Sequence, residues 1–163
     1  MAEHRHTHHP RHHHGDGCDR NDLSHAEAVC AGRGARLTPL RAKVLAALAA
    51  SDKPVGAYEL IDRLAEDGRR PAPITVYRAL DFLMENGLAH KLESRNAFLA
   101  CDHTHDHGAA VVFLICDRCG AVTEAAGEGI GRGLDALVAR SGFRAREQIV
   151  EIAGECAGCS GAA

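Results

Sequence analysis

The sequence predicts a mixed α/β (α+β) chain in which a winged helix-turn-helix domain is followed by a small β-β-α-β domain. Three observations carry this reading. Three capped, amphipathic helical stretches precede a short hairpin pattern, the order of a winged helix. After Cys101 the apolar pattern changes to strand, strand, helix and strand. Two Cys-x-x-Cys pairs, Cys116 with Cys119 and Cys156 with Cys159, stand at opposite ends of that second stretch.

The elements follow in chain order. Residues 1–22, "MAEHRHTHHPRHHHGDGCDRND", hold seven histidines and almost no apolar side chains. Such a segment buries too little surface to offset the entropy of ordering, so it is read as a disordered tail that buffers metal weakly. Arg and Thr interrupt its histidine runs, which argues against a purification tag. From Leu23 the pattern turns helical. Thr38 before Pro39 reads as an N-cap with proline at the first helical position, and Leu40, Val44, Ala47 and Leu48 then share a face. Residues 57–66 form a shorter helix with Leu60, Ile61 and Leu64 inward and Gly68 just beyond. Residues 73–86 form a third, with Val76, Leu80, Leu83 and Met84 inward and a left-handed stop at Asn86 and Gly87. "LAHKLES" and "AFLAC" alternate around Arg95 and Asn96 as a β-hairpin. This first domain is placed at residues 23–101.

In a winged helix the third helix enters the major groove. Here its outward face offers Thr75, Tyr77, Arg78 and Asp81, either a DNA-reading face or an ordinary solvated one. In the second domain, residues 102–163, "AVVFLIC" and "GAVTEA" read as strands joined through a Cys-x-x-Cys turn. Ile130, Leu134, Leu137 and Val138 mark a helix ending at Gly142, and residues 143–156 read as a long closing strand. A unit this small has a thin core, for which self-association and a metal staple are the available remedies.

Composition narrows the function. No apolar run approaches the roughly 20 residues of a membrane span, and the N-terminus does not resemble a signal peptide; the expectation is a soluble, cytoplasmic protein. Its seven cysteines therefore point to metal ligation or thiol chemistry rather than to a disulfide framework. Lys plus Arg against Asp plus Glu stands at 11 to 10 over residues 21–95 and at 5 to 9 over 96–163. The first part is near neutral and the second acidic, which suits two units with different partners.

Four thiolates in two Cys-x-x-Cys turns suit a tetrahedral structural zinc, closing the end of the domain onto its beginning. The competing reading is a redox motif, which needs one pair at a helix N-terminus in a βαβ setting. A second set of donors lies between the two domains: His90 and Cys101 on the hairpin, then Asp102, His103, His105, Asp106 and His107, with Glu124 beyond. Hairpin pairing can bring His90 and Cys101 together. A donor set that mixes imidazole, thiolate and carboxylate favours zinc over iron(II). With no open coordination position and no nucleophile/base or P-loop motif, an enzyme is not expected.

"RLTPLRAKVL", "TVYRALDFL", "GLAHKLES", "LICDRCGAV" and the closing Cys-x-x-Cys, in this order, resemble the ferric uptake regulator superfamily of metal-sensing repressors, and within it the zinc uptake regulators. The resemblance covers about residues 23–160. It implies a homodimer that binds palindromic operator DNA, with residues 102–163 serving dimerisation and metal binding, and it implies control of zinc-uptake genes. It also implies two zinc ions per subunit. The structural ion would be held by Cys116, Cys119, Cys156 and Cys159, and the regulatory ion by His90, Cys101, Glu124 and a histidine of the preceding loop. Counting back from Cys116 puts that last ligand at Ala109, so His107 is assigned, with His105 and His103 as substitutes. Iron and peroxide sensors of the superfamily resemble one another in a His-His-Asp-His run where this chain has Ala-Val-Val-Phe at 110–113. That difference favours zinc, and an iron- or peroxide-responsive regulator is the alternative. For DNA the resemblance implies Tyr58 and Arg78 as contacts, with no membrane or small-molecule substrate as partner.

Overall fold

The computed structural model describes residues 23–66, 68–101, 110–126, 128–146 and 148–161. The histidine-rich tail and His103, His105 and His107 lie outside the described residues. Helices α1 (Leu23–Gly32), α2 (Pro39–Ala49), α3 (Ala57–Arg63) and α4 (Pro73–Glu85) build the first unit. Strands β1 (Val55–Gly56), β2 (Ala89–Leu92) and β3 (Ala97–Ala100) form its antiparallel sheet, in the order β1-β3-β2. The winged helix-turn-helix expected from the sequence is present. Thr38 has extended backbone, and its carbonyl accepts from the Ala42 N–H at 3.0 Å, but its hydroxyl makes no capping hydrogen bond. Pro39, with its φ already suited to a helix, is what starts α2.

α4 ends as its sequence requires. Gly87 takes φ +69°, and the N–H groups of Leu88 and Gly87 donate to the carbonyls of Leu83 and Met84 at 2.8 and 2.9 Å. This double closure needs a left-handed residue, which glycine supplies without steric cost. Val76, Leu80 and Leu83 are fully buried, alongside Val44, Leu48 and Leu60 from α2 and α3.

The second unit comprises β4 (Val111–Cys116), β5 (Val122–Ala126), α5 (Glu128–Ser141), β6 (Ile149–Gly154) and the short α6 (Ala157–Ser160). Its sheet runs β5-β4-β6, with β4 antiparallel to β5 and parallel to β6. Its core is not its own. Val111, Phe113 and Ile115 bury against Leu92, with Leu99, Val122 and Ile149 around them, so the wing hairpin supplies part of the apolar filling.

Several expectations need correction. The helix placed at 57–66 ends at Arg63, because Glu66 and Arg69 exchange backbone hydrogen bonds around Gly68 at φ +74°, a turn that helical backbone cannot enter. The closing strand placed at 143–156 spans only Ile149–Gly154. Its partner β4 begins at Val111, opposite Ile149, and the Val111 N–H donates to the Gln148 carbonyl at 3.0 Å, so among the described residues the pairing with β4 starts there. The helix marked by Ile130, Leu134, Leu137 and Val138 is present as α5, with Ile130 and Leu137 exposed on it. The two-residue β1 and the α6 turn were not foreseen; both are shorter than any readable periodicity.

Leu92 is fully buried and joins the two units. Leu92→Ala should lower unfolding free energy by about 2–5 kcal/mol, measured by urea denaturation. A loss below about 1 kcal/mol would contradict a core shared by the hairpin and the second sheet.

Candidate metal centres and nucleic-acid face

The Cys116–Cys119 pair sits where β4 turns toward β5. The Gly120 N–H donates to the Cys116 carbonyl at 2.9 Å and Gly120 has φ +74°, so the chain folds tightly and both sulfurs face one point. Parallel pairing of β6 with β4 runs as far as Cys116 opposite Gly154 and brings the second pair alongside. There, Cys156 precedes α6 and Cys159 lies within it, the N–H of Cys159 donating to the Cys156 carbonyl at 2.9 Å. The four sulfurs lie within 4.8 Å of one another, and the Cys119 and Cys156 Sγ atoms are 3.8 Å apart. Four thiolates at the usual zinc–sulfur length of about 2.3 Å stand about 3.8 Å apart along a tetrahedron's edge, so the set fits zinc.

The electrostatics agree. Backbone N–H groups of Cys119 and Cys156 lower the Cys116 thiol to about 6; the Cys156 N–H lies 3.4 Å from its Sγ. Hydrogen bonding with the Cys156, Cys119 and Cys116 sulfurs pushes Cys159 up to about 12. Its sulfur neighbours thus oppose ionisation of Cys159, which a divalent cation at the centre of the four sulfurs would favour.

The second cluster lies between the units. In the hairpin register His90 faces Leu99 and Ala89 faces Ala100, while the Cys101 N–H donates to the Leu88 carbonyl at 3.1 Å. His90 and Cys101 are therefore diagonal neighbours on one face. That face meets β5, where Glu124 pairs with Phe113. The ligand atoms of His90, Cys101 and Glu124 all lie within 4.8 Å of one another, and imidazole, thiolate and carboxylate are a donor set suited to zinc. His107, assigned as the fourth donor, lies outside the described residues. Phe113, which sequence reasoning passed over, packs edge-on against the His90 ring at 5.4 Å between centroids.

On the outer face of the first unit, Thr75, Tyr77 and Arg78 of α4 are exposed, and so is Tyr58 at the start of α3. Ile74 was missed and is 61 % exposed in the first turn of α4. Its signal was present: it falls on the same helical face as Arg78, opposite Val76 and Leu80.

The family model "Ferric uptake regulator family" matches residues 32–153. The chain is 45% identical over 140 residues to the zinc uptake regulation protein of Escherichia coli (strain K12), covering 84% of this chain and 80% of that protein. It is similar to a solved zinc uptake regulator complexed with zinc and DNA, with a TM-score of 0.81 and 40% identity over 90% of this chain and 97% of that one. Holo XcZur is similar too, with a TM-score of 0.79 and 47% identity over 88% and 99% of the respective chains.

Cys119→Ser should release one zinc per chain and lower the melting temperature of the second unit, because a structural zinc contributes on the order of 10 kcal/mol of apparent binding free energy at neutral pH. Metal analysis and calorimetry check this. Wild-type zinc content and melting would rule the four-thiolate centre out.

Proposed function

The chain belongs to the ferric uptake regulator family, and on that premise we propose that it is a zinc-responsive repressor. Zinc-loaded and dimeric, it binds palindromic operator DNA and shuts down zinc-uptake genes. The observation that carries the reading is the cluster of His90, Cys101 and Glu124, which draws donors from both units of the fold. Similarity to a zinc uptake regulator complexed with zinc and DNA supports zinc as the signal and DNA as the partner.

We place the boundary between the DNA-binding and dimerisation domains after Cys101, with two zinc ions per subunit. Cys116, Cys119, Cys156 and Cys159 hold the structural ion; His90, Cys101, Glu124 and His107 hold the regulatory one. Zinc, when bound at the second set, supplies a cation that imidazole, thiolate and carboxylate can share only if they converge. His90 and Cys101 ride on the hairpin, and Glu124 rides on β5. Their convergence restricts the angle between the winged helix and the second sheet, and so sets the spacing of the two α4 helices across a dimer. Whatever factor zinc adds to operator affinity, the operator must return to zinc affinity.

Arg78 has the fork geometry for bidentate hydrogen bonds to guanine, and Tyr58 offers an apolar edge to a thymine methyl. Thr75 and Tyr77 flank them. The dimer is supported by apolar side chains exposed in the single chain: Leu114 beside Ile152 on one face of the β4–β6 pair, and Leu137 on α5. No helix among the described residues is long and apolar enough to cross a membrane, in keeping with a regulator that meets DNA in the cytoplasm. The role is binding rather than catalysis.

Cys101→Ser should leave a folded dimer that retains its structural zinc but no longer gains operator affinity with zinc, read by anisotropy against buffered free zinc. Unchanged zinc-titratable binding would refute the hinge site. Arg78→Ala should weaken operator binding by about ten- to a hundredfold, the worth of one bidentate base contact, with zinc content unchanged by metal analysis.

A further inference from the structure

The turn of the wing hairpin, Glu93–Asn96, is gripped from the second unit. Glu151 of β6 turns its carboxylate onto two successive backbone N–H groups: Glu93 donates to Oε1 at 2.7 Å and Ser94 to Oε2 at 3.2 Å. Beside it, the Arg95 guanidinium meets Asp117 at 2.6 Å. Asp117 lies within the Cys116–Cys119 turn, and β6 leads directly into Cys156.

We propose that Glu151 is a positioning residue for DNA binding, a latch that holds the wing turn against the second unit when the two units adopt the operator-binding angle. The proposal rests on the zinc-responsive reading above. Strand register explains the placement: Glu151, Phe113 and Glu124 form one row across β6, β4 and β5. Glu124 reaches His90 and Cys101 at the base of the hairpin, Phe113 packs on His90, and Glu151 holds the turn. The hairpin is thus held at both ends by one row of side chains. Hydrogen bonds of this length tolerate displacements of only tenths of an ångström, so rotation of one unit against the other must break them.

Two comparisons single out Glu151. Burial raises its carboxyl, but hydrogen bonds from the Ser94 side chain and the Glu93 and Ser94 N–H groups outweigh burial and hold it below its ordinary range. The Arg95–Asp117 pair is largely exposed at both ends, and such surface pairs contribute little. The charge-assisted contacts of Glu151 to backbone are the stronger element.

The sign of the effect makes the test sharp. Glu151→Gln removes a negative charge from a DNA-binding protein, and electrostatics alone then favours tighter binding to a polyanion. A latch requires the reverse. Full-length wild type and Glu151→Gln, which is isosteric, are titrated with operator DNA at buffered free zinc, and Glu151→Ala is carried in parallel. The expected result is about a tenfold loss of operator affinity. The tightening of zinc binding by operator should shrink by a matching factor, while dimerisation and zinc per chain stay at wild-type values. Operator binding equal to or tighter than wild type overturns the latch. So does a loss that comes with dissociation of the dimer or loss of the cysteine-bound zinc, because Glu151 would then be merely structural. If wild type itself shows no zinc-dependent operator binding, the regulatory reading fails, and the latch with it.

Discussion

The β2–β3 hairpin is buried on both faces, and most of the architecture depends on that. Ala89, Phe98 and Ala100 point into the helical core of the first unit. His90, Leu92, Leu99 and Cys101 lie on the other face, toward the second sheet. Because side chains alternate along a strand, a one-residue slip would exchange these sets and put ligands into the helical core. The turn holds the register, with Asn96 in the left-handed region at φ +46°, which asparagine tolerates better than most residues. The same alternation that fills two cores therefore brings an imidazole and a thiol together opposite Glu124.

The second unit shows what a thin core requires. Its three strands bury Phe113 completely, but only by borrowing Leu92 and Leu99 from the hairpin, and they leave Leu114 and Ile152 exposed on the far side. Parallel pairing of β4 and β6 needs a long crossover, here β5 and α5, and long crossovers raise the entropy of closure. A metal ion held by the four cysteine sulfurs, as proposed, would oppose that entropy at the strand ends. Such a staple and an apolar partner on the exposed face would answer two separate deficits of the same small sheet.

The contacts between units are unequal in strength. A metal held by a thiolate, an imidazole and a carboxylate would contribute most and would vary with free zinc. Burial of Leu92 and Phe113 has no charge or ligand chemistry of its own through which a signal could act directly. The proposed Glu151 latch lies between: it is weaker than metal ligation, yet specific in geometry in a way that apolar packing is not. Such an arrangement suits a switch, because a conformational equilibrium can be biased only by a contact that differs between its two states.

The sequence by itself determined the element order, the helix start at Pro39, the stop at Gly87 and both Cys-x-x-Cys turns. These features are local or depend on residue chemistry, so propensity, turn geometry and ligand type suffice to read them. His90, Cys101 and Glu124 were legible as one set only through the family resemblance, because residue chemistry alone left the aspartates and histidines of the loop after Cys101 as equal candidates. Tertiary structure decided the rest. The helix stopping at Arg63 depends on a turn that closes around Gly68. The short β6 depends on where β4 begins, and the exposure of Ile130 and Leu137 on surface that one chain cannot cover. The Glu151 contact with Ser94 of the wing turn joins residues 57 apart in the chain, and no period in the sequence marks it. Each depends on which distant backbone becomes a neighbour, a choice made by packing two units around one hairpin rather than by any residue's own preference.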